Sequence, residues 1–244
     1  MIPTITDAQR KQYDDVGYFV LEDVFTVPEM EEVATRIEAL QQKHEAELAA
    51  KGGSEGISRA GEITFTHDLA ERDTFIKEFC KRPEFVAIST QLLGPDIDLY
   101  WNQSVFKQPE GTKEFPWHQD DGYGAVDPSP YLTLWLALND ATPENGCISV
   151  LPDSHQKGLI EHQRTPLGMA CYSNDAPDQG VRVPVRAGSI AVFTSLTFHK
   201  SGPNTSHGTR KAYVIQYSHS PLRWAEGGEI IPNKIPVARG GVAT

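Results

Sequence analysis

Cysteine is scarce in this chain, and its three copies are spaced in a way that excludes two common uses. Cys80, Cys147 and Cys171 are odd in number and far apart. They therefore match neither a disulfide framework nor the paired spacing of a zinc site. We expect reduced thiols that serve mainly as packing groups.

The chain also lacks long apolar runs, and it has fewer basic than acidic residues. No apolar stretch approaches the roughly 18 residues of a membrane span, and residues 1–19 lack the basic and apolar regions of a signal peptide. Asp and Glu number 33 against 22 Lys and Arg, giving a net charge of −11, which disfavours binding to nucleic acid or anionic membranes. We expect a cytoplasmic protein whose partner is a small molecule. The oligomeric state stays open.

The remaining composition is that of an ordinary globular protein, with 39% hydrophobic residues in a length of 244 that one domain, 1–244, can fill. Residues 1–95 are predicted to be mainly helical, with one short strand at Tyr18–Phe25. The predicted helices are Thr6–Val16, Pro28–Ala50, Asp68–Lys81 and Pro83–Leu93.

From residue 96 to about 220, short β-type runs are separated by Gly, Pro, Asn and Asp. The predicted strands are Ile97–Lys107, Tyr131–Leu138, Cys147–Leu151, Val181–Val185, Ser189–Phe193 and Lys211–Ser218. Residues 221–244 are left as a C-terminal tail. This spacing favours an α+β protein with a mainly β core, an antiparallel sandwich or jelly roll buttressed by the N-terminal helices.

The segment FPWHQDDGY places His118 and Asp120 two residues apart. In an extended segment these side chains point to the same face, so an imidazole and a carboxylate can hold one cation together. Such a tripeptide also occurs by chance, and the pair alone is weak evidence. A third ligand is needed, and two histidines with one carboxylate suit iron(II). His199, in TFHKSGPN, is the candidate.

Further elements follow in a fixed order. LWLALNDATPENGCISVLPDSH lies between the pair and His199, and HKSGPNTSHGTR then sets Arg210 eleven residues after His199. From about Tyr18 to Ser218 the chain resembles the phytanoyl-CoA dioxygenase family. The resemblance implies a double-stranded β-helix (a jelly roll of cupin type) with iron(II) held by His118, Asp120 and His199, and with 2-oxoglutarate and O₂ as co-substrates.

The resemblance also implies how 2-oxoglutarate is held. Arg210 matches the arginine that pairs with its distal carboxylate, and Ser201 matches a hydroxyl that assists. Trp135 and Gln103 fall where the family lines the co-substrate pocket. Physical chemistry agrees for Arg210, because a guanidinium gives a buried carboxylate two parallel hydrogen bonds that an ammonium cannot.

The expected activity is that of an iron(II)- and 2-oxoglutarate-dependent dioxygenase that hydroxylates a small-molecule metabolite and releases succinate and CO₂. Desaturation, ring formation, demethylation or epoxidation are alternative outcomes of the same chemistry. Halogenation is disfavoured, because it needs a small residue where this chain has Asp120. A non-catalytic jelly roll that binds a small molecule is the alternative from another class. The sequence does not identify the substrate.

Two departures from the family pattern carry expectations. Pro152–His155 reads PDSH where the family often has PGSH, so the turn lacks a glycine. The chain also shows no cluster of basic residues for the phosphates of an acyl-CoA, which puts CoA thioester substrates in doubt.

Other residues allow two interpretations. His155, His162, His207 and His219 have no partner at ligand spacing and are expected in ordinary hydrogen bonds or in solvent. Trp117 and Tyr123 flank the metal pair and either pack or line the pocket. Weaker candidates for substrate contact are Lys107, Arg164 and Trp224. The glycine-rich Lys51–Arg59 is either a lid over the site or a loose connection.

Overall fold

The computed structural model describes residues 2–171, 180–232 and 234–244. Helices α1 and α2 each begin at a capping box, in which a threonine and a residue three positions later satisfy one another's backbone N–H groups: Thr6 with Gln9, and Thr26 with Glu29. The α-helices of this part of the chain are α1 Asp7–Val16, α2 Val27–Ala50, α3 Leu69–Arg72, α4 Thr74–Phe79 and α5 Pro83–Leu93.

The strands are short except for two that run across the middle of the protein. The first nine are β1 Tyr18–Leu21, β2 Ser54–Glu55, β3 Ser58–Arg59, β4 Ile63–His67, β5 Ile97–Lys107, β6 Phe115–His118, β7 Val126–Asp127, β8 Leu132–Ala137 and β9 Ile148–Val150. The others are β10 Gln163–Thr165, β11 Gly168–Ala170, β12 Val181–Val183, β13 Ile190–Thr194, β14 His199–Ser201, β15 Arg210–His219, β16 Arg223–Trp224, β17 Ile235–Arg239 and β18 Val242–Ala243.

Two antiparallel sheets form the body of the protein. The large sheet has the order β1-β13-β8-β15-β5-β4-β3-β2, with β17 also paired to β5 and β18 to β17. The small sheet has the order β12-β9-β14-β6. Side chains of both sheets share one apolar cluster, to which the large sheet contributes Trp135 and Phe193 and the small sheet Ile148 and Val150. The two sheets therefore face one another as in a jelly roll.

Strand β8 shows how the large sheet divides its side chains. Leu132, Leu134 and Leu136 lie in the core beneath the N-terminal helices, together with Ile37 of α2. Trp135, between them in sequence, lies in the cluster between the two sheets. Because successive residues of a strand point to opposite faces, one face carries the helices and the other faces the interior of the barrel. The predicted fold class, a mainly β α+β protein with buttressing helices, is confirmed.

Most predicted elements are present within two residues of their predicted ends. The predicted helix Asp68–Lys81 is wrong as a single element. Asp73 has extended backbone dihedrals, φ −137° and ψ 122°, and its carboxylate accepts a hydrogen bond from the Ile76 backbone N–H. It therefore acts as an N-cap and starts a new helix, which divides the segment into α3 and α4.

Strands from outside the predicted β region also join the large sheet. Strand β4 precedes it and β17 falls within the predicted tail, yet both pair with β5 in the large sheet. The predicted strand Tyr18–Phe25 ends earlier, at Leu21. Within Lys51–Arg59, strands β2 and β3 pair as a small hairpin.

The PDSH turn has an aspartate in a backbone conformation that favours glycine. Asp153 has φ 63° and ψ −1°, the left-handed region. Aspartate tolerates that region better than most residues, and the Asp153 N–H donates to the Val16 carbonyl at 3.0 Å. The turn is thus tied to the end of α1 without a glycine.

Among the helices of the described residues, none combines the length and apolar character that crossing a bilayer would require.

The contribution of β17 to the core can be measured with two matched substitutions in the predicted tail. Ile235 is 8% exposed and packs in the core beneath the helices, whereas Ile230 is 54% exposed. Ile235→Ala should lower the free energy of unfolding by about 2–4 kcal/mol, and Ile230→Ala should change it by less than about 0.5 kcal/mol. Urea denaturation followed by tryptophan fluorescence measures both. Equal losses would contradict a structural role for this strand.

Candidate metal centre

His118, Asp120 and His199 come together at the edges of two paired strands. His118 ends β6 and His199 begins β14, and the two residues are directly opposite in the antiparallel register. Their Nε2 atoms lie 3.8 Å and 3.6 Å from the same Asp120 oxygen, Oδ1. Within the part of the chain that the structure describes, these three form the one group of ligand-type side chains close enough to share a metal ion.

Backbone carbonyls orient both imidazoles. Nδ1–H of His118 donates to the Pro116 carbonyl at 2.9 Å, and Nδ1–H of His199 donates to the Thr197 carbonyl at 3.0 Å. These bonds leave each Nε2 lone pair directed at the centre, as ligating histidines require. Burial is the main cause that lowers the pKa of His118 to about 3 and that of His199 to about 4. Both rings are therefore neutral at physiological pH and able to bind a cation.

The Asp120 carboxylate is held at its other oxygen. Oδ2 accepts a hydrogen bond from the Thr133 hydroxyl at 2.6 Å, and the Gln216 amide donates to Thr133 Oγ1 at 3.4 Å. Burial raises the pKa of Asp120, while His118 and the hydrogen bond from Thr133 act in the opposite direction. Thr133 and Gln216 thus fix the rotation of the carboxylate so that Oδ1 faces the two histidines.

Gln119, between the two ligands, ties their turn to the rest of the protein. Its buried side chain donates to the carbonyls of Gly158 and Leu196, both at 2.8 Å, and accepts from the Ile160 N–H at 2.9 Å. Its backbone N–H donates to Nε2 of His162 at 3.0 Å. His162 therefore supports the turn from behind, in an ordinary hydrogen bond, as expected for a histidine outside the metal group.

A cavity of about 380 Å³ adjoins the three ligands, and Arg210 lies in its buried part. The guanidinium is fully buried and stands over the Trp135 ring, with Cζ 5.2 Å from the ring centroid. Its three nitrogens have no hydrogen-bond partner among the described residues. Burial lowers the pKa of Arg210 to about 10, so the group stays charged at neutral pH. A buried, unpaired charge of this kind is costly unless an anion joins it.

Residues that the resemblance assigned to the co-substrate line the same cavity. Ser201, Trp135 and Gln103 all lie on its wall with Arg210. Trp135 and Gln103 flank Val214 in the register of β8, β15 and β5, so the three side chains form a row across the sheet.

A β-bulge shapes the more exposed part of the cavity. Gln216 is opposite Trp101, but the next residue, Tyr217, is opposite Leu99. Tyr100 is thus an extra residue in β5, and both it and Trp101 line the cavity. In a regular strand two consecutive side chains would point to opposite faces. Bulges re-aim side chains in this way beside active sites.

The weaker candidates separate into two groups. Tyr123 and Trp224 line the cavity, whereas Trp117, Arg164 and Lys107 do not. Trp117 packs near Lys200, Arg164 is exposed on β10, and Lys107 is buried beside Arg210.

Lys107 is committed to the protein's own backbone. Its Nζ donates to the carbonyls of Lys113, Ser201 and Gly202. Burial, with Arg210 as the second cause, lowers its pKa to about 6. Its position supports the loop after β14 and turns the side chain away from the substrate space.

The other histidines lie outside the metal group. His155 donates from Nε2 to the Asp14 carbonyl at 3.0 Å, and the exposed His207 meets Glu110 at 3.2 Å. His219, on β15, belongs to no such group among the described residues.

Sequence reasoning missed most of the cavity wall, including five residues with polar or aromatic side chains: His67, Tyr100, Trp101, Thr133 and Gln216. For three of them, the alternation of residues along a predicted strand could have indicated an inward-facing side chain. Thr133 alternates with Trp135 on β8, Gln216 alternates with Val214 and Arg210 on β15, and Trp101 alternates with Gln103 on β5. An inward-facing residue predicts inward-facing neighbours two positions away.

Comparison with known proteins places the chain in a family. The family model described as phytanoyl-CoA dioxygenase matches residues 13–212. A phytanoyl-CoA dioxygenase of Arabidopsis thaliana is 30% identical over 177 residues, covering 70% of this chain and 62% of its own length. This chain thus spans less than two thirds of that relative. An L-proline trans-4-hydroxylase of Streptomyces griseoviridis is 26% identical, covering 86% of this chain and 85% of its own length.

A solved structure shares the fold. The non-haem, α-ketoglutarate-dependent carbocyclase SnoK from nogalamycin biosynthesis superposes with a TM-score of 0.77, at 21% identity, over 96% of this chain and 97% of its own. The predicted enzyme class and co-substrates are confirmed at the level of the family. The chain belongs to the phytanoyl-CoA dioxygenase family, within the iron(II)- and 2-oxoglutarate-dependent oxygenases.

Proposed function

We propose that this protein hydroxylates an unactivated C–H bond of a small-molecule metabolite. One oxygen atom of O₂ enters the substrate as a hydroxyl, and the other enters the succinate that forms as 2-oxoglutarate loses CO₂. One observation carries the proposal: two histidines and one carboxylate, close enough to share a metal ion, line a cavity with a buried guanidinium that has no partner among the described residues. Hydroxylation is also what the name of the Streptomyces relative states for that protein.

In this proposal His118, Asp120 and His199 hold iron(II). Two neutral imidazoles and one carboxylate are the donor set that suits this ion in oxygenases and leaves positions open on its other side. Bound iron(II) with 2-oxoglutarate supplies the oxidising power that C–H cleavage needs. The chain's own contribution is orientation, because the Pro116 and Thr197 carbonyls and the Thr133 hydroxyl fix all three ligands before a metal arrives.

Arg210 holds the distal carboxylate of 2-oxoglutarate. The fully buried guanidinium supplies a permanent positive charge and paired donors that match a carboxylate. Ser201 adds a hydroxyl on the same wall, and the Trp135 ring lies against the guanidinium. Gln103, in the same row, lines the wall beside the co-substrate.

Asp120 decides the type of oxidation in this proposal. A halogenating site needs a small residue at this position so that a halide can bind the metal there. The Asp120 carboxylate occupies the position and is held by Thr133. Oxygen transfer to the substrate carbon is therefore the favoured outcome.

The metal assignment predicts that His118→Ala and His199→Ala each abolish tight iron(II) binding, because two ligands cannot hold the ion as three do. Anaerobic calorimetric titration measures the stoichiometry, with one iron(II) per chain expected for the wild type. His207→Ala is the matched control, since this side chain is 94% exposed, and it should bind like the wild type. Wild-type stoichiometry in both ligand variants would contradict the metal-ligand assignment.

Loss of the Thr133 hydrogen bond should weaken metal binding less than loss of a metal ligand does. Thr133→Val keeps the shape of the side chain but leaves Asp120 Oδ2 without its donor, so iron(II) affinity or turnover should fall about 10–100-fold. Thr35→Val, which removes an exposed hydroxyl on α2, should leave both unchanged. Succinate formation and metal titration on the two variants measure the difference. Equal behaviour of both would show that Thr133 does not orient the ligand.

The co-substrate assignment predicts that Arg210→Ala weakens 2-oxoglutarate binding by about a hundredfold or more, since breaking a buried charge pair costs about 3–5 kcal/mol. Iron(II) affinity should be unchanged, and Arg210→Lys should restore only part of the binding. The visible charge-transfer band of the anaerobic iron-loaded protein reports 2-oxoglutarate binding. Arg164→Ala, at an exposed arginine, is the control. Binding by Arg210→Ala within threefold of the wild type would contradict this role.

A further inference from the structure

The more exposed end of the cavity is built differently from the end that holds Arg210. We give the name mouth to six of the partly exposed lining side chains: Ile57, His67, Tyr100, Trp101, Tyr123 and Trp224. Gln103, Asp120 and Lys200 line the same cavity and are partly exposed as well. Four of the six are tyrosine or tryptophan. Such side chains offer broad apolar faces together with a polar edge, so the mouth suits a flat or ring-shaped molecule.

Formal charge is missing from the mouth. Burial lowers the pKa of the His67 imidazole, which favours its neutral form. Besides the three metal ligands, the charged side chains on the described cavity wall are Arg210 and Lys200. Arg210 is committed to 2-oxoglutarate by the proposed function. The Lys200 ammonium lies 2.6 Å from a Glu114 carboxylate oxygen, so its charge is already balanced.

A charged group on the substrate would therefore enter a partly buried space without a counter-ion. Removing a charge from water without such a partner is costly. The described cavity thus disfavours amino acids, which carry both a carboxylate and an ammonium, and CoA thioesters, which carry phosphates. The Streptomyces relative is named for an amino-acid substrate, so this chain is expected to differ from it in substrate class.

One pair of polar side chains supplies a hydrogen-bond donor that could orient an uncharged substrate. Nδ1–H of His67 donates to Oε1 of Gln103 at 2.9 Å, between residues directly opposite in β4 and β5. Because the amide oxygen of Gln103 accepts this hydrogen bond, the orientation of the amide is fixed and its NH₂ group is directed to donate elsewhere. A carbonyl or hydroxyl oxygen on the substrate would accept that hydrogen bond.

The volume of the cavity limits how much of a substrate it can enclose. At about 380 Å³ the cavity is near the lower end of the roughly 300–1,000 Å³ of small-molecule sites, and 2-oxoglutarate takes a share of it. Resting on the proposed function, we propose that the primary substrate is an uncharged, ring-containing small molecule with a carbonyl or hydroxyl oxygen, held by the aromatic side chains of the mouth.

Three probes with one ring system and different charge test this inference. They are 2-naphthol, 2-naphthalenesulfonate and 2-naphthylmethylammonium, each titrated calorimetrically into anaerobic protein loaded with iron(II) and 2-oxoglutarate. The neutral naphthol should bind at least about tenfold more tightly than either ion. Equal or tighter binding of the sulfonate would overturn the inference by revealing a cationic partner. Tighter binding of the ammonium would assign the aromatic residues to a cation, and binding of none of the three would also overturn it.

A pair of variants locates the binding to the mouth. Trp224 packs so closely over Gly124 that a Cβ there would lie 3.3 Å from the Trp224 ring. Trp224→Ala should weaken naphthol binding about tenfold, and Gly124→Ala should weaken it less by displacing the ring. Ile230→Ala, in the same segment but outside the cavity wall, is the control. Unchanged naphthol binding in Trp224→Ala would contradict the assignment.

Failure of this inference can be told from failure of the proposed function. Trp224→Ala and Gly124→Ala should bind iron(II) and 2-oxoglutarate within about twofold of the wild type, because neither residue is a metal ligand or the co-substrate arginine of the proposed function. If Arg210→Ala keeps its 2-oxoglutarate affinity while naphthol selectivity holds, the co-substrate assignment fails and the substrate class stands. If 2-oxoglutarate binding follows Arg210 but charged probes bind best, the substrate class fails alone.

Discussion

The alternation of side chains along the strands of the large sheet is the constraint on which the rest of the structure depends. On β8, leucines at every second position bury against the helices, and Trp135 between them faces the cavity. On β15, Tyr213 and Ile215 join the helical core while Arg210 and Val214 face inward. A slip of one residue would exchange the two faces and place a guanidinium under the helices. Packing of the leucine face therefore also positions the chemistry, although the two share no side chain.

The buried guanidinium of Arg210 shows that this positioning has a cost in stability. The group is removed from water, has no partner among the described side chains, and lies on the strand next to Lys107. Trp135 offsets part of the cost through its ring face. A fold selected for stability alone would place an apolar side chain here. The buried guanidinium stops being destabilising only when a carboxylate binds to it. Its presence is therefore stronger evidence for a carboxylate-binding site than the His–Asp–His group alone.

Much of this site could be predicted from the sequence, and the exceptions have physical causes. The His-x-Asp spacing, a later histidine and an arginine eleven residues further brought together four residues that the structure places around one cavity. Helix periodicity predicted α1, α2 and α5. Strand β4 is short and follows a glycine-rich stretch, and β17 is separated from its partner β5 by about half of the chain, so neither shows its pairing locally. The inward turn of both Tyr100 and Trp101 depends on a bulge, which the period-two rule cannot anticipate.

The residues that line the cavity come from elements that differ in how extensively they are paired. The three candidate metal ligands and Arg210 are on, or adjacent to, strands paired on one or both sides, where a change of position would disturb a whole sheet. Trp224 and Ile57 come instead from a two-residue strand and a small hairpin connection. Loops tolerate substitution and insertion far better than sheet interiors. Substitutions at Trp224 or Ile57 can therefore reshape one side of the mouth without disturbing the paired strands that carry His118, His199 and Arg210.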